Sequence, residues 1–361
     1  MPKIVYYSLD KIDSLNAPFN IIYGERSNGK SYQVKHRKAV EKYLETGRRF
    51  ILMRRLTEEI KSDKIESYFA DVDVYKLTKG KYNCITLYRG RLYLSNYDPD
   101  RKPSTVRGDH IGYVVALSTE QNYAGASYLD VDDIIFEEFM SRSVYLSNEP
   151  DKFMNFYCTV DRKRGTTRAW LVGNTISRVC PYINEWGLHK IVSRQKQGTI
   201  ETTEVESAEN ETIKIAIEYC QDSGRSSHTI GKNRKMLNGG SWQTYPQPHL
   251  PKSRKEYKFI FRIMFQYQNF KFVGELIQDK ESREVCWFIY PYDGEIKNKI
   301  LVFSDVVKVS KYWQRNIYDM SFTNDNVKKL LYNTFRENKI FYSDDLCGTD
   351  FKQVIDFEIK K

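Results

Sequence analysis

The stretch that decides the fold is NIIYGERSNGKSYQVK, residues 20–35. It places apolar residues directly ahead of a Gly-x-x-x-x-Gly-Lys-Ser pattern, formed by Gly24, Gly29, Lys30 and Ser31, and a helix-like spacing follows. In such a loop the glycines let main-chain N–H groups turn toward phosphates, the lysine neutralises their charge, and the serine ligates Mg²⁺. The dipole of the helix beginning here also favours an anion. The stretch therefore predicts a strand, a phosphate-binding loop and a helix.

Length and composition indicate a folded protein of two domains. The chain has 361 residues, which is long for one hydrophobic core, and 40% of them are hydrophobic. We see neither an apolar run of about 20 residues nor the pattern of a signal peptide, so we expect no membrane association. The six cysteines are scattered, which fits reduced thiols in a cytoplasm better than disulfides or a zinc site. The net charge of +10 weakly favours a polyanionic partner.

Strand-like and helix-like segments alternate in the first half of the chain, which predicts an α/β fold with a mostly parallel sheet. The expected strands cover 18–24, 48–55, 113–118, 132–139 and 168–174, and the expected helices cover 30–46, 58–69 and 151–160, with Gly47 as a cap. We expect the first, phosphate-loop domain to span 1–195 and an irregular linker to span 196–250. Aromatic-rich strands and a helix over 323–339 then predict a smaller α+β domain over 251–361.

A second acidic element supports nucleotide hydrolysis. The segment DDIIFEEF (132–139) ends an apolar strand with Glu137 and Glu138. A carboxylate at the end of such a strand can hold a Mg²⁺-bound water, and its neighbour can polarise the attacking water. We assign Glu137 to the metal and Glu138 to the catalytic base, with ATP and Mg²⁺ as the expected ligands. The base-reading motif of GTPases is absent, which favours ATP over GTP.

Basic and amide side chains complete the expected site. Arg162 and Arg164 precede the strand that ends in Asn174, and such arginines can stabilise transition-state charge in a neighbouring subunit. From spacing alone, a basic surface loop or a DNA contact explains the arginines better, and a simple turn explains Asn174 equally well. The expected nucleotide-binding residues are Gly24, Glu25, Arg26, Ser27, Asn28, Gly29, Lys30, Ser31 and Asn174.

These motifs, in this order and spacing, resemble the DNA-packaging ATPases of small short-tailed bacteriophages of the Picovirinae type, also called DNA encapsidation proteins. That family is related to terminase large subunits. The resemblance covers most of residues 1–185, and beyond 195 it concerns mainly length and layout. The segments that carry it are IIYGERSNGKSY (21–32), FILMRR (50–55), DIIFEEF (133–139), TVDRKR (159–164) and LVGNTIS (171–177) followed by CPY (180–182).

The resemblance implies an ASCE-type P-loop motor that hydrolyses ATP and moves double-stranded DNA through the portal of a procapsid. It implies a pentameric homo-oligomeric ring on the portal protein, in the host cytoplasm and transiently at the portal vertex. The resemblance leaves open whether a structural RNA or only the portal protein forms the docking platform. Arg162 aligns with the trans-acting arginine of the family, with Arg164 as the alternative. The family usually has Asp at the position of Glu137.

The resemblance also implies an RNase H-like fold for the second domain. Such nucleases hold two metal ions with clustered carboxylates on adjacent strands. Here the first expected strand carries no acid, and Glu275 and Asp279 follow on the next. We therefore expect a nuclease-like fold without nuclease activity.

Two other functions compete with a DNA motor. A P-loop kinase or other phosphotransferase would need an acceptor pocket, and a non-catalytic nucleic-acid-binding protein would show no ATP turnover. The paired glutamates argue against the second. The candidate DNA contacts are Arg101, Lys102, Arg107, Arg142, Lys252, Arg254 and Lys255, for each of which a solvated charge is the simpler explanation.

Overall fold

The computed structural model describes residues 6–141, 145–206, 212–224, 241–267, 269–296, 300–304, 312–314, 333, 336–337 and 339–359. The chain forms two compact units, Met1–Trp242 and Gln243–Lys361. Each unit is built on its own β-sheet.

The first unit contains a nine-stranded sheet in the order β3-β4-β5-β2-β6-β7-β1-β9-β8. The six strands from β5 to β9 in this order run parallel, and antiparallel pairs close both sides. This confirms the predicted α/β fold. The strands are β1 Phe19–Gly24, β2 Arg49–Arg54, β3 Cys84–Tyr88, β4 Arg91–Tyr97, β5 Thr105–Ala116, β6 Val131–Glu137, β7 Arg168–Asn174, β8 Thr199–Glu206 and β9 Thr212–Tyr219.

Helices accompany this sheet along the chain. They are α1 Asp10–Asp13, α2 Lys30–Val34, α3 Lys42–Thr46, α4 Ser62–Phe69, α5 Val74–Leu77, α6 Glu149–Asp161, α7 Pro181–Glu185 and α8 His189–Arg194. A π-helical segment, Lys35–Glu41, joins α2 to α3, so the predicted helix over 30–46 is present. It ends at Gly47, whose φ of 70° is left-handed and suits a residue without a Cβ. Within the described residues, no helix is long and apolar enough to cross a membrane.

The buried central strands place side chains in two hydrophobic cores, one on each face of the sheet. All six residues of β1 are buried. Ile21 packs in one core with Phe136, and Ile22 packs in the other with Ile135. Because successive side chains of a strand point to opposite faces, a continuous apolar run is what a doubly covered strand requires.

The predicted linker over 196–250 is wrong in its first part. Residues 199–219 form β8 and β9, which belong to the large sheet rather than to a linker. β9 pairs in parallel with β1, from Phe19 opposite Ile215 to Tyr23 opposite Tyr219. It thereby covers an edge of the phosphate-loop strand, which would otherwise expose unpaired main-chain groups. The first unit therefore extends well beyond the predicted boundary at 195.

The second unit contains a six-stranded sheet in the order β14-β13-β10-β11-β12-β15. β10, β11 and β12 are antiparallel neighbours, and β13 joins β10 in parallel. This mixed sheet fits the expected RNase H-like α+β class. The elements are β10 Tyr257–Tyr267, β11 Phe270–Asp279, β12 Val285–Pro291, β13 Leu301–Ser304, β14 Trp313–Gln314, β15 Ile340–Tyr342 and α9 Asp345–Ile359. The predicted helix over 323–339 lies largely outside the described residues.

Glu218 on β9 links this added strand to the phosphate loop. Its side chain is buried and accepts a 2.7 Å hydrogen bond from the Tyr7 hydroxyl. The main-chain N–H of Tyr7 in turn donates to the carbonyl of Asn28. Burial raises the pKa of Glu218 to about 7, although the Tyr7 hydrogen bond opposes the rise.

We expect the Glu218 carboxyl to make stability depend on pH. Its pKa in the folded chain lies above the value of 4.5 for a solvated glutamate. Its stabilising contribution is therefore complete below pH 4.5 and is lost as pH rises through 7, amounting to roughly 3 kcal/mol. Thermal unfolding measured between pH 5 and 8 should show a smaller decline for Glu218→Gln than for the wild type. Glu45→Gln, at an exposed position of α3, is the control, and equal slopes in all three proteins would contradict the assignment.

Candidate active site

The phosphate loop leaves the carboxyl end of β1 and enters α2. At Gly24, a Cβ atom would lie 2.9 Å from the Cβ of Cys220, so the close approach of the chain after β9 requires glycine. Gly29 has a φ of 98°, which is left-handed and again suits glycine. Both glycines of the predicted motif are thus explained by the local backbone.

Lys30 is buried beneath this loop and lies beside Asn174. The Nζ atom donates to the main-chain carbonyl of Glu25 at 2.5 Å and to Oδ1 of Asn174 at 2.7 Å. Asn174 ends β7, which is the neighbour of β1 in the sheet. Burial lowers the pKa of Lys30, whereas electrostatic interactions with Cys220, Glu137 and Glu25 oppose this. The structure therefore brings together two residues that the sequence places 144 positions apart.

Ser31 and Glu137 lie next to each other at the start of α2 and the end of β6. The Ser31 hydroxyl donates to Oε2 of Glu137 at 3.1 Å, and Glu137 is only 5% exposed at the end of β6. A hydroxyl and a carboxylate at this separation are oxygen ligands of the type that Mg²⁺ prefers. In the part of the chain that the structure describes, no group of three or more His, Cys, Asp and Glu could hold a metal ion. The pair therefore fits an ion that takes its other ligands from phosphates and water.

Tyr68 is a site residue that the sequence analysis missed. Its hydroxyl, near the end of α4, donates to Oε1 of Glu137 at 2.8 Å. Glu137 thus receives one hydroxyl on each carboxylate oxygen. Burial raises the pKa of Glu137, and the hydrogen bonds from Tyr68 and Ser31 limit the rise. Tyr68 belongs to no recognisable motif. It lies 69 residues from Glu137 in the sequence, and only the fold of the chain after β2 brings α4 to the site.

Glu138 has a different environment from its neighbour. It has a φ of 59°, and its side chain is 56% exposed. Arg54, the last residue of β2, donates from Nη2 to Oε2 of Glu138 at 2.8 Å. The positive φ turns the chain after β6, so the two consecutive carboxylates occupy distinct surroundings. Separate environments are what two acids with separate roles require.

Both carboxylates border one open cleft of about 580 Å³. Ser31 and Tyr68 also line it, together with residues that follow α4. Its full lining comprises Ser31, Lys35, Arg54, Ser67, Tyr68, Ala70, Asp71, Glu137 and Glu138. The cleft therefore lies directly beside both acids, and solvent reaches the exposed Glu138.

The remaining loop residues fall into two groups. Glu25 and Asn28 are buried, and their side chains accept hydrogen bonds from the main-chain N–H groups of Ser223 and Lys30. Arg26 and Ser27 are exposed at the tip of the loop. Glu25 and Asn28 therefore shape the loop, whereas Arg26 and Ser27 face outward.

Arg162 and Arg164, the two arginines predicted to act in a neighbouring subunit, lie near the amino ends of the parallel strands. The phosphate loop lies at the carboxyl ends. Arg164 donates to the main-chain carbonyls of Leu129 and Val131, where β6 begins. Arg162 is exposed and bonds the main-chain carbonyl of Ala126 at 2.8 Å. The length of β6, about 20 Å at 3.3 Å per residue, separates this loop from Glu137. Neither arginine can reach the phosphate loop of its own chain.

Several basic residues proposed as DNA contacts are engaged in ion pairs. Lys252 pairs with Asp279 at 3.0 Å, and Arg254 pairs with Glu275 at 2.7 Å. Arg101 is largely exposed and pairs with Asp98. Arg142 lies outside the described residues.

The acids of the second unit are held by cations. Glu275 accepts hydrogen bonds from Arg254, Arg262 and Tyr290. Burial raises the pKa of Glu275, but the two guanidinium groups outweigh it and hold the pKa below its usual value. Glu275 is therefore neutralised by arginines at this position, and an inactive nuclease-like domain stays a prediction.

The strand order and the site define the class of protein. β7, which ends in Asn174, lies between the phosphate-loop strand β1 and the acidic strand β6, as in the ASCE branch of P-loop ATPases. The chain belongs to the podovirus DNA encapsidation protein (Gp16) family, whose model matches residues 1–305. The resemblance seen in the motifs is thereby confirmed.

Named relatives agree with this assignment. The chain is 29% identical over 190 residues to the DNA packaging protein of Bacillus phage phi29, and this match spans about half of each chain. It is 26% identical over 260 residues to that of Bacillus phage B103, covering 68% of this chain and 71% of the relative. A chain of the bacteriophage phi29 genome packaging motor assembly has the same overall fold, with a TM-score of 0.55, 18% identity and 98% and 99% of the two chains covered.

We expect Tyr68→Phe to shift the acid limb of the ATPase pH profile to higher pH. Loss of the hydroxyl removes one of the donors that lower the pKa of Glu137, so this carboxyl should lose its proton at a higher pH than in the wild type. The measurement is the rate of ATP hydrolysis between pH 5.5 and 9. Tyr75→Phe, at an exposed position of α5, is the matched control. An unshifted acid limb in Tyr68→Phe would show that Tyr68 does not support Glu137.

Proposed function

We propose that this chain is an ATPase that moves double-stranded DNA into a viral procapsid through its portal. The observation that carries the proposal is the convergence of Lys30, Ser31, Asn174 and Glu137 beside Glu138, in a member of a DNA encapsidation family. A buried ammonium group and a loop of main-chain amides suit a triphosphate, and the adjacent carboxylates suit its hydrolysis.

Each site residue has a role in this mechanism. Lys30 neutralises the phosphates of ATP, and Asn174 orients the Lys30 ammonium through its 2.7 Å hydrogen bond. Ser31 and Glu137 would hold Mg²⁺, which supplies charge neutralisation on the phosphate oxygens. Glu138 accepts the proton of the attacking water, and Arg54 bonds the Oε2 atom of the same carboxylate at 2.8 Å. The open cleft beside Glu138 provides access for that water.

The partners follow from the family and from the placement of the arginines. Because Arg162 lies at the far edge of the sheet, it can serve only the site of a neighbouring subunit, which supports a homo-oligomeric ring. The number of five subunits is what the family resemblance implies. The net charge of +10 suits contact with the phosphate backbone, and such contact accepts any base sequence. We place the ring on the portal protein of the procapsid, within the host cytoplasm. Whether a structural RNA also forms part of the docking platform is left open.

Lys30→Ala and Glu138→Gln should both reduce turnover to a small residual rate but differ in nucleotide binding. Removal of the ammonium group deletes a direct phosphate contact, so the affinity for ATP should fall at least about tenfold. Glu138→Gln keeps the shape of the side chain and loses only the base, so its affinity should stay close to wild type. Equilibrium binding of a fluorescent ATP analogue and steady-state hydrolysis separate the two effects. Near-wild-type turnover in either variant would overturn the site assignment.

A mixing experiment tests whether Arg162 acts between subunits. Arg162→Ala retains its own nucleotide site, and Lys30→Ala retains an intact arginine, so mixed rings should recover part of the ATPase rate that each variant lacks alone. The control mixture of Lys30→Ala with Glu138→Gln should show no recovery, because both changes damage the same site. Inactivity of the first mixture, or full activity of Arg162→Ala alone, would count against action in trans.

A further inference from the structure

Arg55, which follows β2, forms a buried ion pair with Glu149, the first residue of α6. Nε donates to Oε2 at 2.8 Å and Nη2 donates to Oε1 at 2.9 Å. The two side chains are 6% and 0% exposed. The carboxylate also accepts hydrogen bonds from the Leu146 N–H and the Tyr182 hydroxyl. The pair is thus a fully hydrogen-bonded unit that fixes the orientation of the Arg55 guanidinium.

The remaining donors of Arg55 hold the turn that carries Glu138. Nη1 donates to the main-chain carbonyl of Glu138 at 3.1 Å, and Nη2 donates to that of Phe139 at 2.7 Å. Glu138 has a φ of 59°, a conformation that residues with a Cβ seldom adopt unless their surroundings enforce it. Phe139 packs so closely on Gly173 that a Cβ there would lie 2.9 Å from the ring. Guanidinium donors and the packed ring together enforce the turn.

Stability alone does not explain this arrangement. A buried ion pair commonly contributes no more to stability than a well-packed apolar pair of the same volume. The Arg55–Glu149 pair instead connects the ends of β2 and β6 with the start of α6, directly behind the acidic pair. The hydrogen bonds from Arg55 to this turn end on main-chain carbonyls, whereas the Glu138 carboxylate itself is bonded by Arg54 at the cleft.

We propose that Arg55, held by Glu149, is a positioning residue that fixes the direction of the Glu138 carboxylate. This inference rests on the proposed function, in which Glu138 is the catalytic base. Arg54 contacts the carboxylate itself, whereas Arg55 contacts the main chain beneath it. Loss of Arg55 should therefore lower kcat and leave ATP affinity unchanged, because the phosphate loop is held by other residues.

The test uses the full chain with duplex DNA, at a protein concentration that saturates the ATPase rate. The variants are Arg55→Lys and the double variant Arg55→Met with Glu149→Leu, which removes both charges and leaves no unpaired buried ion. Arg48→Met is the matched control, because Arg48 also bonds a carboxylate, that of Asp132, and a main-chain carbonyl, that of Leu129. Thermal unfolding reports folding, and a fluorescent ATP analogue reports affinity.

We expect the double variant to fold, to bind the analogue with wild-type affinity and to lose roughly 10- to 100-fold in kcat. Arg55→Lys keeps the charge but loses the planar set of guanidinium donors. Its kcat should therefore lie between those of the double variant and the wild type. Arg48→Met should keep the wild-type kcat. A folded double variant with wild-type kcat, or one that loses ATP affinity in step with kcat, would overturn the proposal.

A double-mutant cycle separates this inference from the function on which it rests. In a Glu138→Gln background, the double change at Arg55 and Glu149 should cause no further loss, because the carboxylate that Arg55 positions is already absent. A further loss of similar size would mean that Arg55 acts elsewhere. If Glu138→Gln alone keeps wild-type turnover, the proposed function fails. If Glu138→Gln is inactive and the Arg55 variants are fully active, only the positioning role fails.

Discussion

The buried ammonium group of Lys30 is the interaction on which the site depends. Lys30 is 4% exposed, and its ammonium group bonds a main-chain carbonyl and an amide oxygen. These two hydrogen bonds offset only part of the free-energy cost of removing the charge from water. Its placement is forced by the close passage of Gly24 against Cys220 and by the left-handed turn at Gly29. An anion beside the loop would compensate this charge, so the fold itself makes a phosphate the favoured partner.

The carboxyl edge of the parallel sheet assembles the rest of the site. β1, β7 and β6 are neighbours and end in Gly24, Asn174 and Glu137, so residues distant in the chain meet without further loops. Beyond β6 the chain turns at Glu138. One carboxylate is buried between two hydroxyl groups, and the next faces solvent beside Arg54. The same edge thus offers two acids in different surroundings, as the proposed roles in metal binding and water activation require.

Much of this site follows from the sequence because its parts are local. The phosphate loop, the acidic pair and Asn174 each belong to a strand end with a recognisable pattern, and the structure brings Lys30, Ser31, Glu137 and Asn174 together. Tyr68 and the Arg55–Glu149 pair were not predictable in this way. Arg55 and Glu149 are 94 residues apart, and only the order of β2 and β6 in the sheet joins them. A single charged residue in a sequence does not show whether it is solvated or buried against a partner.

The boundary of the first unit was also not predictable from local sequence patterns, because it depends on strand pairing between distant parts of the chain. The alternating pattern over 199–219 correctly suggests strands, but it does not reveal which sheet they join. β9 pairs in parallel with β1, and this pairing links residues almost 200 positions apart. Non-local pairing of this kind depends on the whole topology rather than on local pattern.

The most direct test of an assembling, DNA-dependent ATPase is the rate of ATP hydrolysis per chain as a function of protein concentration, with and without duplex DNA. Since Arg162 cannot reach the nucleotide site of its own chain, the rate per chain should rise steeply with concentration and rise further when duplex DNA is added. A rate per chain that is constant across the concentration range and indifferent to DNA would contradict the account.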